Sequence, residues 1–402
     1  MNHIGFLAFV LVACLKISAA GATGISKSAD RFDAFGFSLV QSLKTSGQRN
    51  LLISQASVEI ALGMAYAGAA GETADAMSRT LGLDRSSREA GLKDLAALQS
   101  ALEKPEQGVT LKVANATWVD QSVRLNAEFS SDLAKTFKST FESLSFSDPA
   151  TMARINEWVS RETEGKISRL LEEPPDPTTK IFLADAVYFH APWANPFLTL
   201  ADQVQPFHLA DGSTSEVMMM RQTGSFPYTK MPGYEVVALP YVGNRFAMYC
   251  FLPDGGIDAL VTKLSESSWS ELSAALRPSQ GSVALPKFTV EYGVVKLNEG
   301  LTKIGMGIAF DGRAQFTRMV DPPPPPPPLY IDSVLHKTIL EVNEEGSTAA
   351  AATGVSVAIL GLHEENFNLV FDRPFLVTIT DQESGIILFL GIIGDPKSDK
   401  VH

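Results

Sequence analysis

The residue types that most often perform chemistry are sparse in this chain and poorly spaced for it. Six histidines (His3, His190, His208, His336, His363 and His402) are scattered, and none falls in a spacing that puts two imidazoles on one helix face. The sequence has no CxxC pair for zinc or thiol exchange, no GxSxG elbow for a serine nucleophile and no GxxxxGK[ST] loop to cradle a phosphate. Acidic pairs such as Glu172-Glu173 and Glu364-Glu365 adjoin turn residues, where a solvated surface is their usual meaning. The reading is of a protein that is not an enzyme and that carries no metal or cofactor.

One stretch stands apart. Residues 344–361, EEGSTAAAATGVSVAILG, run from two acids and a glycine through tiny residues into an apolar alternating segment. Alanine propensity favours a helix over a short window. Ser347, Thr348, Thr353, Val355 and Val357 compete with the backbone or are β-branched, and Gly354 interrupts the run. A helix is allowed there and not compelled.

The chain that must position this ribbon has 402 residues, 45% apolar and 19% charged, which is ordinary globular usage. A formal charge of -12 with no cluster of Lys and Arg excludes nucleic acid and anionic membranes as partners and disfavours heparin, because a polyanion needs a basic footprint. Residues 1–20 carry an apolar run from Ile4 to Leu15 followed by small residues, the pattern of a secretory signal. That run is too short for a membrane span. The expected mature chain is therefore 21–402, secreted and extracellular. Of the two cysteines, Cys14 lies in that signal. Cys250 is left without a partner for a disulfide and reads as a small buried hydrophobe in a strand. Asn115-Ala116-Thr117 is a glycosylation sequon; its strand-like neighbours would bury it, so sugar and burial both stand as readings.

Apolar spacing of three and four residues predicts helices over 30–45, 54–80 and 155–171. Short β-branched and aromatic runs predict strands over 111–120, 180–193, 234–242, 245–254, 281–293, 367–381 and 385–396. Helices early, strands late and no β-α alternation make an α+β domain. Seven prolines at 322–328 form a stiff segment of about 22 Å at roughly 3.1 Å per residue, read as a surface loop.

Several ordered stretches together resemble the serpin family: NLLIS from Asn50, ALGMAYAGAAGETADAM, INEWVSRETEGKI, DAVYFHAPW, DGSTSEVMMM, LPYVGNRFAMYCFLPD, LPKFTVEYG, LHKTILEVNEEG and FDRPFLVTITDQESGIILFLG. The resemblance covers nearly the whole expected mature chain. It departs at Gln55, where Pro is common, at Asp185, where Asn is usual, and at His190-Ala191, where Lys-Gly is common. The fold it implies is one α+β domain with a large mixed main sheet, two further sheets, eight or nine helices and an exposed reactive loop over about 344–366. By the same resemblance, Glu344, Glu345, Gly346, Ser347, Thr348, Ala349, Ala350, Ala351, Ala352 and Thr353 form a hinge that inserts as a new strand after cleavage. Ser54, Ser57, Asp185 and His336 resemble the shutter beneath the opening strands. Trp193 resembles the marker of the breach where insertion starts, and Lys287 with Glu344 a brace at the top of the sheet. The family's commonest loop length puts the scissile bond at Leu360-Gly361, with Ile359 or Leu362 as displaced alternatives. That implies a monomer whose partner is a chymotrypsin-like, cathepsin G-like or elastase-like serine protease. A non-inhibitory carrier, storage or chaperone relative, or an inhibitor of cysteine proteases, shares the fold.

Overall fold

The computed structural model describes residues 25–45, 49–137, 140–265, 269–321, 329–347 and 366–397. Helices dominate before residue 165 and strands after it, as an α+β chain requires. Nine α-helical stretches occur among the described residues.

The strands form two sheets. The smaller has six, in the order Phe288–Lys296, Ile331–Val342, Ile181–Pro192, Thr110–Asp120 and Thr140–Leu144, with the two-residue strand Gly346–Ser347 also pairing to Ile181–Pro192. It is mixed: Ile331–Val342 runs parallel to Ile181–Pro192, which runs antiparallel to Thr110–Asp120. The other sheet has nine strands, eight in one hydrogen-bonded path and Gln203–His208 beside it. The 18-residue strand Thr214–Met231 joins what the resemblance gave as two sheets, because its first part pairs with Gln203–His208 and its last part with Tyr234–Pro240.

Helix Gln55–Gly68 lies between the sheets. Apart from Gln55, Ser57 and Glu59 it carries apolar and small residues on every side, and all but one of its residues are buried, the pattern of a helix enclosed by the core. The opposite face of the six-stranded sheet is closed by helix Thr151–Glu162, whose Ile155, Trp158 and Val159 join Trp118 and Phe182 in a separate apolar cluster.

Three predicted elements are divided. The helix expected over 54–80 stops at Gly68 and restarts at Gly71. The Arg88 guanidinium takes the carbonyls of Tyr66 and Ala67 at 2.8 and 3.1 Å, ending the first helix, and Gly71 has φ +49°. The helix expected to run to 171 ends at Glu162: Thr163 Oγ1 accepts from Ile167 N at 3.0 Å, and Glu164 and Gly165 turn the chain with φ of 53° and 78°. The strand expected over 281–293 is two, Arg277–Pro286 in the nine-stranded sheet and Phe288–Lys296 in the six-stranded one. Lys287 is the crossing point. The run at 367–381 is likewise split into Phe367–Val370 and Phe375–Asp381.

Candidate functional site

Strands Ile181–Pro192 and Ile331–Val342 are paired directly from Ile181/Ile331 up to Tyr188/Ile339. Above that point they part, and Gly346–Ser347 enters from the side, with Gly346 opposite Pro192 and Ser347 opposite Ala191. The backbone there demands glycine: Gly346 has φ +152°, and a Cβ on it would sit 2.2 Å from the Ala191 carbonyl oxygen. Ser347 is fully buried. Its Oγ lies 3.0 Å from the Tyr241 hydroxyl, and its carbonyl accepts Nδ1–H of His190. Burial pushes the Tyr241 phenol well up, so it keeps its proton beside the serine.

The turn feeding this insertion is held by aromatic and amide groups. Trp193 stacks on Tyr241 with centroids 4.5 Å apart and planes 10° from parallel. Its Nε1 donates to the Asn343 carbonyl at 2.9 Å and its backbone N to the Glu345 carbonyl at 2.9 Å. Asn343 Oδ1 accepts from Glu345 N and Gly346 N at 3.0 and 3.2 Å, an Asx turn that fixes the chain direction. Lys287 contacts Glu344 in an ion pair and lies 4.0 Å from Asp202. Burial and the adjacent Glu344 push the Asp202 carboxyl up to about 7, although Lys287 pulls it down. Asp202 is thus held up while the neighbouring Glu344, facing Lys287, is held low.

Deeper in the same sheet is a polar group with no exposure. Asn115, Asp185 and His336 are direct neighbours across three strands, and both Asp185 and His336 are fully buried. His336 Nε2 accepts the Ser54 backbone N–H at 3.1 Å. The ring's proton therefore sits on Nδ1, which donates to Asp185 Oδ2 at 2.7 Å. The Ser57 hydroxyl contacts Asp185 Oδ1 and lies 3.1 Å from the Asn115 amide. One hydroxyl hydrogen cannot serve two acceptors. It goes to the carboxylate, and Asn115 turns its Nδ2 toward Ser57 Oγ. The carboxylate thus ties the strand pair to helix Gln55–Gly68 from inside the core.

Of the sequence-predicted residues, Ser57, Asp185 and His336 meet in one hydrogen-bonded group. Ser54 contributes only its backbone, since its side chain makes no capping bond. Trp193, Lys287, Glu344, Glu345, Gly346 and Ser347 meet at the insertion point. Thr348, Ala349, Ala350, Ala351, Ala352, Thr353 and the bond Leu360-Gly361 lie outside the described residues, as do the expected signal and the proline run. Asn115 corrects the glycan reading: it is only 5% exposed and joined to Ser57, so a sugar has no access to its nitrogen in this conformation. Cys250 is buried in strand Phe246–Pro253, where burial pushes its thiol far up. Sequence reasoning missed Tyr241, Asn343 and Asp202. The first two stand inside the quoted LPYVGN and EVNEEG runs, and only the spatial approach of Ser347 gives them a role.

The model of the family described as "Serpin (serine protease inhibitor)" matches residues 30–396. Intracellular coagulation inhibitor 2 of Tachypleus tridentatus is 33% identical, with 89% of this chain and 88% of that protein aligned. Leukocyte elastase inhibitor of Sus scrofa is also 33% identical, over 90% of this chain and 97% of that protein. Among solved structures, the thermophilic serpin tengpin in its native state superposes with a TM-score of 0.84 at 28% identity, covering 92% of this chain and 94% of tengpin. With the family model spanning residues 30–396 and relatives one-third identical over most of both chains, the chain belongs to the serpin family.

Proposed function

We propose that the protein is a secreted suicide inhibitor of a chymotrypsin-like or elastase-like serine protease, cut at Leu360-Gly361 and trapping the enzyme by inserting its hinge. The observation that carries this reading is the pairing of Gly346–Ser347 with Pro192–Ala191 above strands that are still closed below. Continued in the same register, each further residue advances one position down strand Ile181–Pro192. Ala349 would meet Phe189, Ala351 would meet Val187 and Thr353 would meet Asp185. Side chains alternate across a strand, so these three share the inward face of Ser347. All are small and uncharged. A Pro or charge among them would break the ladder or bury an unpaired group.

About ten inserted residues gain two rows of backbone hydrogen bonds at roughly 1 kcal/mol net each, so tens of kcal/mol are available as an order of magnitude. Insertion drags the tethered acyl-enzyme along. Its serine leaves the reach of histidine and oxyanion donors, and deacylation stops because that chemistry tolerates little misplacement. Leu360 suits a deep apolar primary pocket. No Lys, Arg, Asp or Glu occurs from 347 to 362, which disfavours trypsin-like enzymes. The name of the porcine relative is consistent with an elastase target.

The test is incubation with chymotrypsin and with an elastase, followed by denaturing electrophoresis and mass spectrometry of the released fragment. We expect an adduct of summed mass that survives boiling and a fragment beginning at Gly361, with Ser347→Arg cut at the same bond but forming no adduct. Cleavage of the unmodified protein without an adduct, by every serine protease tried, overturns the reading.

A further inference from the structure

Ser57, on one side of helix Gln55–Gly68, reaches Asp185. Gln55 and Glu59, one turn apart, share the side turned away from it, and both are fully buried. Gln55 Nε2 donates to Asp33 Oδ1 at 3.1 Å, and the same oxygen accepts from Ile387 N at 3.3 Å. One buried carboxylate thus joins helix Ile25–Leu43, helix Gln55–Gly68 and strand Ile387–Ile393. Glu59 is answered by nothing: both of its carboxyl oxygens are enclosed and neither has a hydrogen-bond partner.

Among the described residues no cation compensates Glu59. The charge that acts on it comes from Asp33, of like sign. Strand Ile387–Ile393 carries no ionisable residue. In strands Ile181–Pro192 and Thr110–Asp120, Asp185 is tied to Ser57 and His336 on the helix's other side, His190 to the Ser347 carbonyl, Lys112 to Glu164 and Asp120 to Lys180. Helix Arg88–Glu103 turns Leu95 toward Gly63 and puts the Arg88 guanidinium on the carbonyls of Tyr66 and Ala67. Its Glu89, Lys93, Asp94 and Glu103 are exposed or half-buried. Helices Gly71–Thr80 and Ala127–Phe137 meet the other end of helix Gln55–Gly68, the second of them through Phe129 at Gly68.

An enclosed carboxylate with neither donor nor cation is far costlier than the neutral acid. Burial first, and the Asp33 charge second, push the Glu59 carboxyl well above its ordinary 4.5. We propose that Glu59 is a proton-linked latch: the native fold is built around its uncharged acid, takes up a proton there as the chain folds, and loosens when that proton leaves. The unfolded chain gives up this proton near 4.5, whereas the native chain keeps it. The stability contributed by the protonated acid is therefore complete below about 4.5 and declines as pH rises toward the raised native value. This part of the stability favours mild acid, whether or not the protein is an inhibitor.

Asp202 titrates in the same direction, so the experiment uses an Asp202→Asn background. Full-length chains carrying Asp202→Asn, with and without Glu59→Gln, are unfolded in denaturant from about pH 5 to about pH 9. Glutamine keeps the size of the protonated acid and cannot ionise. The unfolding constant of the chain that keeps Glu59, divided by that of the Glu59→Gln chain, is expected to rise with pH by up to about tenfold per unit, the limit for one proton. Glu59→Met, uncharged and of similar length, should give the same rise. At neutral pH the infrared spectrum of the native chain should hold a protonated-carboxyl band that Glu59→Gln removes. A ratio that does not change with pH, or a native spectrum without a band that depends on Glu59, overturns the latch. Failure of both neutral variants to fold overturns it as well, because a site built around an uncharged group accepts one.

Discussion

The two ends of one strand pair are held shut by different physics. From Ile181/Ile331 to Tyr188/Ile339 the strands bond to each other, and the stretch is locked by a carboxylate that has no exposure and two hydrogen-bonding neighbours, Ser57 and His336. Above Tyr188 strand Ile181–Pro192 pairs with Gly346–Ser347 instead, an arrangement held by backbone contacts, a stacked Trp193-Tyr241 pair and a half-exposed Lys287. Buried polar networks are all-or-none, since removing one member strands the others. Aromatic and rim contacts loosen by degrees. The sheet is therefore bolted in the middle and already started at the top, which gives insertion a direction.

The largest expected effect breaks the bolt. Asp185→Ala leaves His336 Nδ1–H without an acceptor in the core and the Ser57 hydroxyl with only the Asn115 amide, a loss of about 1–3 kcal/mol in native stability. Asp185→Asn keeps an oxygen for His336 and turns an N–H toward Ser57, whose own hydrogen then goes to Asn115 Oδ1 once that amide turns over; the loss is about 1 kcal/mol or less. Thermal unfolding of the pair of variants checks this. Equal melting temperatures for Asp185→Ala and the unmodified protein would show that the middle of the sheet is held by packing alone.

The contrast also explains what the sequence made legible. The fold class and most strand positions follow from apolar runs that end at turn residues, and Gly346 and Ser347, singled out by the family resemblance and not by local pattern, were legible only in that way. Shared elements were not. Residues 281–293 look continuous, yet Lys287 hands the chain from one sheet to the other, and no local pattern distinguishes two buried strands in series from one. Asn115 read equally as a sequon and as a core amide, and only its pairing with Asp185 decides. Gln55, which stands where the family commonly has Pro, is accommodated by Gly36, where a Cβ would lie 1.5 Å from Gln55 Oε1. That compensation is 19 residues away in sequence.

A smaller effect separates the ends by pH. Asp202 is held up to about 7, against an ordinary 3.8, chiefly by burial and by Glu344. Burial works against Glu344, but the hydrogen bonds from Asp202 and Lys287 keep its carboxyl low. The native state thus holds a proton on Asp202 that the unfolded chain has lost. The contribution of Asp202 is complete below about 3.8 and declines as pH rises toward 7, whereas that of Glu344, held low, is lost only on acidification. Between pH 5 and 8 the upper clamp should weaken, seen as faster uptake of a synthetic hinge peptide, and Asp202→Asn should flatten that profile. A profile that keeps its slope in Asp202→Asn would place the titration elsewhere.

The smallest effect tests whether the top leads to the bolt. If the register of Gly346–Ser347 continues, Thr353 arrives opposite Asp185, on the face toward Ser57, six residues after Ser347. Its hydroxyl would then take part in the network that previously joined only the closed strands. Thr353→Val keeps the β-branched shape and removes the hydroxyl. In the intact protein, where Ser57, Asp185 and His336 already answer one another, its melting temperature should be unchanged. In the cleaved protein it should lower stability by about 1 kcal/mol, one hydrogen bond, whereas Thr353→Ser, which keeps the hydroxyl, should avoid most of that loss. A one-residue slip would turn position 353 to the other face, and the valine would then leave both forms alike while Ala352 became the sensitive neighbour of Asp185.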